Sequence, residues 1–209
     1  AKTLQKRSFT SLLGPLPLAV TDFWSVLKVC SVLVFASLLL PAPMGIEIIP
    51  NVPFATWAPL LILSLPMLFI QVSAEEIVFR GYFQSQLAAR FKSPLIWLLV
   101  PAIVFGVAHY DPASMGANAA IITLWAVFYG VMLGDITARA GNLGPAIALH
   151  LLNNFLAIMI VSAQGDLSGL ALYVYPFDLQ DTELLRAMMP IELALMVVFW
   201  LGARLAIKR

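Results

Sequence analysis

Two adjacent glutamates, Glu75 and Glu76, stand with Arg80 in the run Glu75-Glu76-Ile77-Val78-Phe79-Arg80, at the end of a long apolar stretch. The two histidines of the chain, His109 and His150, also lie within or at the edge of apolar stretches, and Asn154 follows His150 by four residues. Charge in a lipid-facing helix is costly, so such groups need a partner, a watery cavity or a chemical task. A carboxylate in a poorly solvated pocket is tuned toward neutral pH and can take a proton from water, which is general-base work. A histidine beside it can orient the water or share the proton. Peptide hydrolysis also needs donors aimed at the oxygen that becomes negative, and His150 with Asn154 suits that role. Base, water, oxyanion donors and a dry chamber make a hydrolase that needs neither a covalent nucleophile nor a metal.

Spacing assigns partners. Glu76 and Arg80 are i,i+4 with acid before base, the favourable order for a helix pair, whereas Glu75 points about 100° away. The economical reading is a structural Glu76–Arg80 pair and a freer Glu75. Phe105 and His109 are also i,i+4, so a ring can pack beside the imidazole, and His150 and Asn154 repeat the interval on another helix. Three other readings stay open. Glu75, His109 and His150 form a zinc set of the two-histidine, one-carboxylate kind, though no His-Glu-x-x-His run is present. Buried Glu and His also build proton relays in transporters, where inverted repeats are common, and none is evident. A non-catalytic binding or immunity protein of the membrane is the third.

The elements that must carry these residues follow from composition. Apolar residues make up 61% of the chain and charged residues 11%, well below the charged share of soluble proteins, and mean hydropathy is +0.94. At about 20 apolar residues per crossing, six spans are expected, over 23–40, 54–80 with an extension to 90, 94–109, 117–138, 143–162 and 187–207. The fold class is therefore all-α, a polytopic transmembrane helix bundle around an intramembrane polar cavity, in one domain over 1–209. Continuous rather than alternating apolar runs argue against a β-barrel. Pro41 and Pro43 stop the first span, Ser93-Pro94 opens the third, and Gly141-Asn142 separates the fourth from the fifth. The polar connection 164–186 has room for a short interfacial helix. The stretch 12–18, interrupted by Gly14, Pro15 and Pro17, reads as a cytoplasmic lead-in rather than a signal peptide. Net charge of +1 gives no sign of a nucleic-acid partner. Cys30 is the single cysteine, which excludes an intrachain disulfide.

Lysine and arginine set orientation. Lys2, Lys6, Arg7, Arg90, Lys92, Arg139, Arg204, Lys208 and Arg209 all fall on one side of six spans, which puts both termini in the cytoplasm. Glu75 and His109 are nearly equidistant from the Phe91-Lys92 turn, on the order of 20–25 Å from it, so they can meet across spans two and three. His150 lies closer to its own turn and should sit shallower unless the first hairpin protrudes. Among the remaining polar residues, Asp135 and Arg139 suit a local ion pair, Lys28 can snorkel and Asp22 can sit at the interface. Glu192 has no reading beyond an interhelical hydrogen bond.

Glu75-Glu76-x-x-x-Arg80, Phe105-x-x-x-His109 and His150-x-x-x-Asn154 resemble, in order and interval, the three signature motifs of the CAAX prenyl protease and bacteriocin-processing (Abi) family of glutamate-type intramembrane endopeptidases. Phe79-Arg80-Gly81-Tyr82-Phe83 and Arg139-Ala140-Gly141-Asn142-Leu143 agree with it, and the resemblance covers about residues 74–155. It implies that Glu75 activates water, His109 assists, His150 and Asn154 stabilise the oxyanion, and Glu76 and Arg80 brace the site. Phe105 belongs to the same support. It implies no cofactor, a peptide or protein substrate within or at the bilayer, and a location in a bacterial inner membrane. Substrate identity and oligomeric state stay open.

Overall fold

The computed structural model describes residues 8–207; the orienting charges Lys2, Lys6, Arg7, Lys208 and Arg209 lie outside the described residues. The chain is an integral membrane protein, a polytopic bundle of six apolar helices. These are α1 (Leu16–Ser37), α2 (Phe54–Arg90), α3 (Leu95–Val107), α4 (Ala119–Ala140), α5 (Gly144–Ile160) and α6 (Thr182–Ala206). By length and composition α1, α2, α6 and the stretch Pro112–Ala140 that contains α4 are each able to cross a membrane. Helices α3 and α5 have only 10–17 residues. At 1.5 Å per residue that is roughly 15–25 Å, less than the hydrocarbon thickness of about 30 Å.

Helix α5 can be short because protein, not lipid, surrounds it. Every residue from 144 to 152 is buried, the signature of a helix that is apolar all round and lies in a core. It packs against α1, α2, α4 and α6. One close approach is at its start. A Cβ on Gly144 would collide with the Ala19 carbonyl of α1, so a glycine lets the two backbones touch. The turn that delivers α5 is equally determined. Gly141 ends α4 in the left-handed region at φ 68°, with its N–H donating to the Thr137 carbonyl at 2.9 Å. Asn142 accepts from the Gly144 N–H at 2.9 Å and donates to Asp22 at 2.7 Å.

Several sequence expectations are corrected. Asp22 is not exposed at a surface but buried inside the bundle, where Asn142 offers it a donor. Helix α1 begins at Leu16 rather than near 23, since Pro17 falls in the first turn, where its missing N–H has no helical partner to lose. The segment before it is built in: Leu12 is buried, and the Leu13 carbonyl accepts from the Leu143 N–H at 3.1 Å. Asp135 does not pair with Arg139. It takes Trp200 Nε1 at 3.0 Å and Arg204 Nε at 3.4 Å, both from α6, which packs beside α4.

In the connection 164–186, the helical part before α6 is a short 3₁₀ stretch, Asp166–Leu170, and the chain continues into a strand, Tyr173–Asp178. Strands β1 (Ile49–Pro50), β2 (Val161–Gln164) and β3 (Tyr173–Asp178) form a sheet in the order β1-β3-β2. β1 is antiparallel to β3, with Ile49 opposite Val174. β2 is parallel to β3, with Val161 opposite Tyr173 and an irregularity between Ser162 and Gln164. Helix α6 then starts at Thr182, earlier than expected, because Asp181 caps the amides of Glu183 and Leu184. Glu192 on α6 has no helix-to-helix hydrogen bond among the described residues. Its charge acts on Tyr175 of β3, whose phenol is pushed above its ordinary range by burial and then by that carboxylate.

The α1–α5 contact yields a test. Gly144→Ala should destabilise the detergent-solubilised protein by about 1–3 kcal/mol, the usual cost of overpacking. Gly169→Ala, where an added Cβ meets nothing within 4 Å, should leave thermal unfolding unchanged. Equal melting of the two variants would contradict the contact.

Candidate functional site

Helix α2 does not run as a uniform α-helix. Immediately after Glu76 it widens into π-type turns over Ile77–Gln84 and then resumes as α-helix. Such widenings are common at functional sites because they re-aim side chains that a regular helix would misplace. Here Glu76, Arg80 and Gln84 are all turned inward and buried.

Glu76 is wholly inaccessible. Its Oε1 accepts from Arg80 Nη1 at 2.9 Å and lies 2.7 Å from His150 Nδ1. A carboxylate paired with a guanidinium only accepts, so Nδ1–H of His150 is the donor in that bond. Arg80 Nη2 donates to the Gly130 carbonyl of α4 at 3.1 Å, and one turn further along Gln84 Nε2 donates to the Gly134 carbonyl at 3.0 Å. A Cβ on Gly130 would lie 3.3 Å from Arg80 Nη2. Small residues there let two polar side chains of α2 reach the backbone of α4. The Arg80 guanidinium also lies 4.5 Å from the centre of the Phe105 ring, a cation–π contact in a desolvated setting.

Glu75 has a different environment. About a quarter of its side chain is accessible (26%), its Oε1 accepts from Gln71 Nε2 at 3.1 Å, and its Oε2 lies 3.8 Å from His150 Nε2. That Oε2 is buried and has no hydrogen-bonding partner among the described residues. A distance of 3.8 Å is too long for a hydrogen bond. The imidazole of His150 therefore stands between two carboxylates, bonded to Glu76 on one side and facing Glu75 on the other.

His150 is level with the glutamates and not shallower, since its two ring nitrogens meet both of them. His109 is placed less directly. It follows the last turn of α3, is exposed, and shares a 2.7 Å hydrogen bond between Nδ1 and the Phe105 carbonyl. A carbonyl can only accept, so Nδ1 carries the proton and Nε2 is left as an acceptor. His109 makes no hydrogen bond to Glu75 among the described residues. Phe105 links the two histidines, with its ring centre 4.5 Å from that of His109 and 5.9 Å, edge to face, from that of His150. Asn154 is half-buried one turn after His150, and its Oδ1 accepts from Asn153 at 3.2 Å.

Two contributors were not foreseen. Gln71 stands four residues before Glu75, a spacing that could have flagged it. Tyr129 of α4 sits edge to face with His150, ring centres 5.8 Å apart, and nothing in its apolar neighbourhood marks it in the sequence. No group of three or more His, Cys, Asp and Glu side chains suited to holding a metal ion occurs among the described residues.

The buried pair predicts an asymmetry between the neighbouring acids. Arg80→Leu strips Glu76 of its cation inside a dry core and should destabilise the protein by roughly 3–5 kcal/mol. Glu75→Gln, at a partly accessible site, should change stability by no more than about 0.5 kcal/mol. Unfolding in mixed detergent micelles measures both, and an Arg80→Leu protein as stable as the parent would refute the account of the pair.

Part of the chain is similar to known proteins. Residues 55–156 match the family model described as type II CAAX prenyl endopeptidase, Rce1-like. A Bacillus subtilis (strain 168) protein, described as the uncharacterized protein YyaK, is 27% identical over 110 residues, which are 53% of this chain and 37% of that protein. The chain thus spans well under half the length of that relative. No solved structure matches. Every residue of the cluster, from Gln71 to Asn154, falls inside the matched segment. Residues 55–156, just under half of the chain, are thus similar to the family described as type II CAAX prenyl endopeptidase, Rce1-like.

Proposed function

We propose that the chain is an intramembrane peptidase of the glutamate type, cleaving a peptide bond of a membrane-associated protein or peptide. The observation that carries this reading is the placement of His150 between a buried, arginine-paired carboxylate and a second, partly accessible one with an unpartnered oxygen.

Water held between Glu75 Oε2 and His150 is the nucleophile. Its oxygen forms the new bond to the substrate carbonyl carbon while its proton passes to the Glu75 carboxylate. The carbonyl oxygen becomes an oxyanion. Asn154 Nδ2 and His150 Nε2–H donate to it. Since His150 Nδ1–H already donates to Glu76, the form of the ring that donates to the oxyanion also carries a proton on Nε2. The C–N bond then breaks, and the proton held by Glu75 moves to the departing amine. His109, with Nε2 free as an acceptor, orients the attacking water. Glu76 and Arg80 do not meet the substrate; they hold the imidazole in place.

The substrate is a segment that enters the bilayer, whether a lipidated C-terminus, a leader peptide or a sorting helix. With the charged loops of the chain on the cytoplasmic side, both termini face the cytoplasm, and a bacterial inner membrane is the natural setting.

Comparing peptides released by cells carrying the parent protein or Glu75→Gln tests the reading. The parent should release at least one peptide that the variant does not, and Glu75→Gln should lower its formation by about 10²–10⁴-fold, the usual contribution of a general base. Asn154→Ala should lower it by about 10²–10³-fold. Full activity of Glu75→Gln would exclude the mechanism, and loss of activity on chelation would favour the zinc alternative.

A further inference from the structure

Glu76 uses only one of its two oxygens. Oε1 takes both Arg80 and His150, while Oε2 is buried and has no partner among the described residues. A buried carboxylate oxygen without a donor costs on the order of 1–3 kcal/mol or more, so a native structure supplies one. Tyr129 is 3% exposed and its hydroxyl is buried and unpartnered. Its ring stands perpendicular to His150, interplanar angle 86°, on the same imidazole that Glu76 holds. Glu76 and Arg80 are both within electrostatic reach of the phenol. On its other side the ring is stacked on Trp125 at 5.5 Å, so packing fixes its orientation. An orphaned donor and an orphaned acceptor thus flank one ring.

We propose that Tyr129 is a positioning residue, its hydroxyl donating through a single water to Glu76 Oε2. Such a water has the two or more polar partners that a buried water requires. The chain Tyr129–water–Glu76–His150 draws charge toward Oε2 and so sets how strongly Oε1 holds the proton on His150 Nδ1. Tyr129 acts on the chemistry only through Glu76 and the imidazole. The competing donor is Ser73, whose hydroxyl is also buried and unpartnered, one turn before Glu76 on the same helix.

The chain has two histidines, so ¹⁵N-histidine labelling gives a two-residue spectrum, with His109 as internal reference. In the full chain reconstituted in lipid nanodiscs, Tyr129→Phe keeps the ring and removes the donor. It should displace the Nδ1–H resonance of His150 and leave that of His109 in place, while Ser73→Ala leaves both unchanged. Displacement in Ser73→Ala alone, or in neither variant, overturns the proposal. If Tyr129→Phe does not fold, 3-fluorotyrosine placed at 129 keeps the packing and makes the hydroxyl a stronger donor. The resonance should then move in the opposite sense, and its failure to move overturns the proposal. This inference rests on the geometry around His150 and not on peptide cleavage. A chain with the resonance shift but no released peptide would refute the proposed function alone; cleavage without the shift would refute the role of Tyr129 alone.

Discussion

The carboxylate of Glu76 is the point on which four helices converge. Burying it without compensation would cost several kcal/mol. The bundle compensates with Arg80 from the same helix and His150 from α5. Arg80 must then be satisfied in turn, which places the Gly130 carbonyl of α4 and the Phe105 ring of α3 against it. The depth of α5, the close passage of α2 beside α4 and the position of α3 are therefore not independent facts. Each satisfies a polar group that the previous one has buried. Replacement of such a pair by apolar residues of similar shape is often neutral for stability. Its presence is better explained by what it does to the imidazole: it fixes which nitrogen carries a proton and where the other nitrogen points.

Much of this arrangement is legible in the sequence, for a physical reason. Local spacing decides local partners, so Glu76 with Arg80 and Phe105 with His109 follow from one helical turn. Apolar runs give the helices, because lipid tolerates little else. Failures occur where a nonlocal partner outbids a local one. Asp135 has Arg139 one turn away, yet Trp200 and Arg204 from α6 offer it two donors together. Asp22 carries no mark of burial until Asn142, far along the chain, is brought beside it. Val161-Ser162-Ala163-Gln164 reads as the tail of an apolar helix and becomes a strand only because Tyr173–Asp178 lies parallel to it. The hydrogen bond from His150 to Glu76 is of the same nonlocal kind. Spacing assigned Glu76 to Arg80 and left His150 to Asn154, whereas the fold gives Glu76 both partners.

The two neighbouring acids show how one backbone step separates two environments. Adjacent residues on a helix point about 100° apart, so Glu75 and Glu76 cannot share an environment. Glu76 turns into the protein, where a cation and an imidazole saturate one oxygen. Glu75 turns toward a partly accessible region, with Gln71 on one oxygen and the other left facing His150 across 3.8 Å. Both keep one buried oxygen without a partner among the described residues, but only the Glu75 side chain is reached by solvent, while Glu76 is closed off and tied to a cation and an imidazole. Carboxylates held in different surroundings divide acid, base and supporting roles in this way. In the proposed reaction the division is made by burial, not by residue type, since both groups are glutamate. Exchanging their roles would require turning α2 about its axis, and the packing of Arg80 on Phe105 and of Gln84 on the Gly134 carbonyl opposes that turn.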